Sequence, residues 1–134
     1  MAFPTKHTNN DGSECPNQAF IIQKDGETLL YMTDWMHCGF RLEQFRINHF
    51  LIAVNYSEVP EGENRSHILF GHSSLNTVKD FLLTNMTLDT KSIIAIHLSD
   101  TNANEEEIYA QLKSIAPEQV AVEIARKGKV FVIE

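Results

Sequence analysis

Phe50-Leu51-Ile52-Ala53-Val54 is apolar at every position, and in Ser92-Ile93-Ile94-Ala95-Ile96 the four residues after the serine repeat the pattern later in the chain. Runs this short are strand-length, and a strand without polar alternation is one covered on both faces. Between the two runs, Leu75, Val78, Phe81, Leu82 and Met86 recur at helical spacing. Residues 75–86 therefore read as an amphipathic helix, with Ser73 or Ser74 able to cap it. A second helix is expected over 104–115. Asn104 is its cap, Glu105–Glu107 favour the positive end of the helix dipole, and Ile108, Leu112 and Ile115 form its buried stripe. Strands alternating with helices imply a mixed α/β sheet.

Toward the N-terminus, Ala19–Gln23 and Glu27–Thr33 are strand-like and flank Lys24-Asp25-Gly26, a strong hairpin signal that makes Asp25 a turn residue. Residues 1–17 show no periodicity. Gly39–Asn48, with Leu42, Phe45 and Ile47, reads as a short helix, and 58–66 as a loop. At the other end, Val120–Ala125 and Lys129–Ile133 flank Lys127-Gly128 and read as a terminal hairpin. The expected fold class is α/β, a mixed sheet of about five or six strands with two helices on one face. A length of 134 residues predicts a single domain over 1–134.

Bulk composition narrows the function classes. No stretch approaches the roughly 18 apolar residues of a membrane span, and no signal peptide is legible. Net charge is −7, with acids clustered at Glu58–Glu63 and Glu105–Glu107. A nucleic-acid binder normally shows a basic stripe, so direct nucleic-acid binding by this chain alone is disfavoured. Arg126-Lys127-Gly128-Lys129 reads as a turn. Cys15 and Cys38 have no metal or redox spacing, and two free thiols in a reduced compartment are expected, with the cytoplasm as default.

Polar residues stand where the strands stop. Asp34 follows Glu27–Thr33, Asn55 follows Phe50–Val54, and His97 follows Ser92–Ile96. Each has an ordinary reading: a capping or turn-forming Asp, a hydrogen-bonded structural His. Sites in open α/β sheets nevertheless form outside the carboxyl ends of strands. If these three strands run parallel, their polar ends meet at one rim. Gly71-His72-Ser73 precedes the first helix, where free backbone N–H groups favour an anion, although His72 also reads as incidental to a capping segment. His7 sits in a loop, while His37, His49 and His67 read as solvated or structural. No His-x-His, HExxH, GxGxxG, P-loop or GxSxG motif occurs.

Taken in order, Phe3-Pro4-Thr5-Lys6-His7, Tyr31-Met32-Thr33-Asp34, Ala53–Ser57, Gly71-His72-Ser73-Ser74 and Ile96-His97-Leu98-Ser99 resemble the C-terminal half of metallo-β-lactamase-superfamily hydrolases, in their nuclease and phosphodiesterase branches. The resemblance implies half of an αββα sandwich, with His7, Asp34 and His97 as metal ligands and His72 contacting substrate phosphate. It implies a divalent metal, zinc or else manganese, and hydrolysis of phosphodiesters. The family's leading His-x-His-x-Asp-His motif is not among these residues. The chain is thus expected to be inactive alone, whether as a fragment, a split-gene product or a half-domain paired with another chain. The competing expectation is a non-catalytic interaction or assembly module that retains the fold. Two helices cover one face of such a sheet, so the other is expected to be covered by a second copy, as a homodimer, or by a separate N-terminal half.

Overall fold

Asp25 and Gly26 both take positive φ, 51° and 81°, the backbone of a two-residue type I′ hairpin turn. The turn joins β2 (Asn17–Lys24) to β3 (Glu27–Met32), with Lys24 opposite Glu27. A computed structural model of the chain describes residues 1–9, 11, 13–57, 73–99 and 103–133. Its sheet has six strands in sequence order, adding β1 (Ala2–Thr5), β4 (His49–Ala53), β5 (Ser92–Ile96) and β6 (Ala121–Ile124). The first three strands form an antiparallel meander, and β3 through β6 pair in parallel. The sheet is mixed, as expected. Helix α1 (Leu75–Asn85) links β4 to β5, and α2 (Glu105–Ile115) links β5 to β6. Parallel strands need such crossovers, and successive right-handed crossovers stepping in one direction place both helices on the same face. Lys79 Nζ on α1 reaches Gln111 Oε1 on α2 at 2.8 Å.

The strand register explains which apolar positions are core. Ile21, Leu30, Phe50, Ile93 and Val122 form one row across five strands, and Met32, Ile52, Ala95 and Ile124 form the next. All are buried, packed with Val78, Phe81, Leu82, Ile108 and Leu112 of the helices. Phe50 and Trp35 both meet the Phe81 ring, at centroid distances of 6.3 and 5.3 Å. The alternate rows, including Phe20, Tyr31, Leu51 and Ile94, face the other way. Ser74 caps α1 by accepting from Thr77 N, and Asn104 caps α2 by accepting from Glu107 N, each at 3.1 Å.

Three local readings need correction. Residues 2–5 are a strand, not irregular. Pro4 lacks a ladder donor, which an edge strand tolerates, so the sequence signal was weak. Gly39–Asn48 is not a helix but a single 3-10 turn at Glu43–Phe45, ended by Arg46 at φ 51°. Its turn is too short to offset helix nucleation, and its Leu42 N–H is taken instead by Asn85 Oδ1 at 2.7 Å. The terminal hairpin is also absent. Arg126–Lys129 does turn, with Gly128 at φ 83° and Lys129 N on Arg126 O at 3.0 Å, but 129–133 pairs with no strand. It leaves β6 instead, and Ile133 lines a cavity with Ile22 and Leu29. From Ala125 the chain can reach ~27 Å, whereas β6 to β2 spans about 19 Å. This segment thus straps the sheet face that the helices leave open. The loop expected over 58–66 lies outside the described residues.

Side-chain amides hold the loops to this frame. Asn85 is 1% exposed, accepts from Leu42 N and donates to Phe81 O at 2.8 Å. Asn48 accepts from Thr28 N at 2.8 Å and donates to Asp89 O at 2.9 Å. Of the two readings open from sequence, solvated or structural, His49 takes the structural one: at 4% exposure it meets Ser92 Oγ at 2.7 Å and Glu27 Oε2 at 3.0 Å. Lys91 closes the cluster on the other Glu27 oxygen.

Removing Asn85 leaves a buried backbone N–H unpaired, so Asn85→Ala should cost about 1–3 kcal/mol in urea unfolding. A loss within error would show that the amide does not hold the 42–85 contact. The Glu27 carboxyl is held below its ordinary value of 4.5 chiefly by the hydrogen bond from Lys91, with His49 adding to it against the effect of burial. Its folded pKa is depressed, so the stability it contributes is complete above 4.5 and lost as pH falls through the folded value. Melting curves of wild type and Glu27→Gln should differ at pH 7 and converge under acid, and a pH-independent gap would contradict this origin.

Candidate functional site

Parallel pairing of β3, β4 and β5 brings their carboxyl ends to one rim of the sheet. Asp34, Asn55 and His97 meet there. Asp34 Oδ1 lies 3.8 Å from His97 Nδ1, with the two side chains 43% and 58% exposed. Both residues depart from strand geometry by entering the left-handed region, at φ 50° for Asp34 and 60° for His97. Residues other than glycine rarely do so, and such positions persist where surrounding contacts over-determine them.

Those contacts are visible. Asn55 is 6% exposed and Ser73 is fully buried. Asn55 Oδ1 accepts from both Ser73 N and Ser73 Oγ at 3.0 Å. A backbone N–H can only donate, so this fixes the amide, and Nδ2 then donates to His97 O at 3.0 Å and meets His97 Nδ1 at 3.2 Å. The neutral His97 ring therefore accepts at Nδ1 and carries its proton on Nε2. The single Ser73 hydroxyl proton is shared between Asn55 Oδ1 and the nearer Ala53 O at 2.7 Å, the carbonyl that takes the Trp35 indole N–H at 3.2 Å. Asp34 is held from the other side. Asn17 Nδ2 reaches Thr33 O and Asp34 O at 3.0 Å and Thr5 Oγ1 at 2.7 Å.

The remaining candidates are distributed as follows. His7 lies past the end of β1, between the isolated β-bridges Lys6–His37 and Thr8–Glu14, and Cys15 N donates to His7 O at 3.0 Å. With His37 it lines a cleft beside the start of β2. Among the described residues, no three His, Cys, Asp or Glu side chains are grouped to hold a metal, so His7 does not complete a set with Asp34 and His97. His72 and His67 lie outside the described residues. Cys15 and Cys38 are free thiols, and burial pushes the Cys38 thiol up. Sequence reading missed Asn17 and the role of Asn55 toward His97. An Asn directly after an apolar strand was the available signal for Asn55, whereas nothing local marked Asn17.

The donor chemistry of the pair fits a divalent ion. Tetrahedral zinc holds N and O donors at ~2.0–2.2 Å, hence about 3.4 Å from one another. A gap of 3.8 Å between half-exposed side chains closes with small rotations. Two protein ligands do not make a zinc site, which needs three or four. Among the described residues, the pair alone falls short of that number.

No protein-family model matches the sequence, and no curated protein does. Among solved structures the chain is similar to the metallo-beta-lactamase fold protein YhfI from Bacillus subtilis, at 14% sequence identity and a TM-score of 0.63. The likeness covers 97% of this chain and 48% of that one, so the chain spans about half the length of the structure it matches. At that identity the likeness speaks for the fold alone: a mixed six-stranded sheet with two helices, consistent with half of a metallo-β-lactamase fold.

Proposed function

We propose that this chain is the C-terminal, metal-binding half of a metal-dependent hydrolase acting on phosphodiesters, inactive until a His-x-His-x-Asp-His half completes it. The observation that carries the reading is the Asp34–His97 approach of 3.8 Å at the carboxyl rim of parallel strands. Asp34 and His97 would hold the ion, with His72 toward substrate phosphate; His7, which is not grouped with that pair among the described residues, would join them only in the completed protein. Zinc, or manganese in its place, would lower the pKa of bound water and polarise the phosphoryl oxygens. Within this chain, Asn55 orients the His97 ring and Asn17 orients the Asp34 turn. His97 would hold the ion through its ring, whose orientation the Asn55 amide, itself fixed by Ser73, sets. The setting is a cytoplasmic one in which both cysteines stay reduced.

Calorimetric titration with zinc and with manganese tests the reading. Wild type should bind weakly, and His97→Ala or Asp34→Ala should lose at least tenfold in affinity. Equal and negligible binding by all three proteins would favour a non-catalytic assembly module. The isolated chain should not hydrolyse bis(p-nitrophenyl) phosphate with either metal, and turnover there would refute the claim that it is inactive alone.

One observation favours assembly in either case. The strapped sheet face still exposes Phe20 (41%), Ile22 (50%), Val130 (84%) and Val132 (78%). Burial of apolar area at about 25 cal/mol per Å2 favours covering such a patch. A separate chain carrying the missing half is its productive cover, and a second copy substitutes when that chain is absent. Sedimentation at micromolar concentration should therefore give a dimer that Phe20→Asp dissociates. A wild-type monomer would sink the homodimer.

A further inference from the structure

Ile22, Leu29, His49 and Ser92 stand side by side in one row across β2 to β5. The row alternates with that of Leu30, Phe50 and Ile93, so it lies on the sheet face that the helices leave open. Three side chains are joined there, away from the rim pair. Ser92 Oγ meets His49 Nδ1 at 2.7 Å, and His49 Nε2 meets Glu27 Oε2 at 3.0 Å. Glu27 is ionised at neutral pH, held so chiefly by the hydrogen bond from Lys91, and a carboxylate can only accept. The neutral His49 ring therefore carries its proton on Nε2 and accepts at Nδ1, which aims the Ser92 hydroxyl proton at a base. Contacts that lock the imidazole also orient it. A hydroxyl, an imidazole able to take its proton and a carboxylate that fixes the imidazole are the parts of an activated nucleophile, recognised by geometry rather than by sequence order. Ser92 itself is only partly buried.

On the same face, Ile22, Leu29 and Ile133 line a cavity of about 530 Å3 together with Glu27. Leu29 stands two strand spacings from Ser92, about 10 Å, so an apolar chain resting in the cavity spans to the serine. We propose that Ser92 is the nucleophile of a second, metal-independent site that takes carboxylic esters with an apolar acyl chain, with His49 as base and Glu27 orienting the base. Ser92 Oγ attacks the ester carbonyl carbon as its proton passes to His49 Nδ1. The C–O bond to the alcohol then breaks, and the alcohol leaves with that proton. Water hydrolyses the acyl-serine by the same route, restoring the hydroxyl and releasing the carboxylic acid. The backbone N–H groups of Ser92 and Lys91 are both taken by Asn48 O, at 3.1 and 2.7 Å. Charge on the carbonyl oxygen is therefore met by the half-exposed Lys91 ammonium. Losing a backbone donor at that point costs roughly 10²–10³ in rate, so turnover is slow and trapping is the sensitive readout.

A decyl fluorophosphonate traps the nucleophile, because Ser92 Oγ attacks its phosphorus and fluoride leaves. Reaction in EDTA with peptide mass mapping should modify Ser92 roughly a hundredfold faster than the exposed Ser114 of the same molecule, the low end of what a general base supplies. Glu27→Gln offers His49 a donor as well as an acceptor, and should lower that ratio roughly tenfold or more while unfolding stays cooperative. A methyl fluorophosphonate should react more slowly than the decyl one, and Ile133→Ser should erase the preference. Repeating the reactions on Phe20→Asp keeps the serine accessible where a second copy covers the face. Equal labelling of Ser92 and Ser114 in both proteins, or a ratio that Glu27→Gln leaves unchanged, would overturn the nucleophile. Equal rates with the two chain lengths would overturn the apolar acyl chain. EDTA removes any metal, so this outcome and that of the zinc titration are independent.

Discussion

The in-register parallel pairing of β3, β4 and β5 is the constraint on which everything else depends. Leu30, Phe50 and Ile93 lie side by side in it, and burying that row against Phe81 and Ile108 leaves no other register available. A slip by one residue would turn every one of these side chains to the opposite face. The same register decides where the strands end. Asp34 and His97 are far apart in sequence and belong to different connections, yet they meet because their strands start and stop together. The rim pair is thus a by-product of core packing, and core substitutions in β4 would be felt there.

Asparagine is the second organising element. Asn17, Asn48, Asn55 and Asn85 each join a loop to a strand or helix through backbone groups that have no ladder partner. An amide both donates and accepts, so one side chain can satisfy an N–H and a C=O at once. Loops that cross a sheet edge leave such groups stranded, and in a chain of this size water cannot reach all of them. The consequence is a frame in which irregular segments are as fixed as regular ones at chosen points. Asn55 shows this most directly, holding the His97 ring and carbonyl together with the Ser73 backbone.

Much of this was legible in the sequence. Apolar runs at 50–54 and 92–96, helical spacing over 75–86 and the Asp25-Gly26 turn specify the sheet, the helices and the rim where Asp34, Asn55 and His97 meet. Their signals are local and repeat with a definite period. What escaped was governed by distant partners. β1 exists because Phe3 and Thr5 have Ala19 and Asn17 to pair with, and no pattern in residues 2–5 announces that. The strap at 129–133 has the β-branched composition of a strand but leaves the β6 edge for the open face, where Ile22 and Leu29 offer apolar cover. Asn17 looked like one more polar residue in a turn-rich stretch. Its three acceptors come from β1 and from the end of β3, which only the folded chain assembles.

The positive φ angles at Asp34 and His97 have a consequence for which residues those positions can accept. Side-chain-bearing residues in that region cost of order 1–3 kcal/mol each relative to relaxed backbone. Glycine would remove the cost at both places, and asparagine would lessen it. A sequence optimised for folding alone would therefore drift toward glycine at 34 and 97, becoming more stable as it did so. Carrying an aspartate and a histidine there instead sets stability against side-chain chemistry at two points 3.8 Å apart. Of the four non-glycine residues with positive φ among the described residues, two are the side chains that meet at the rim.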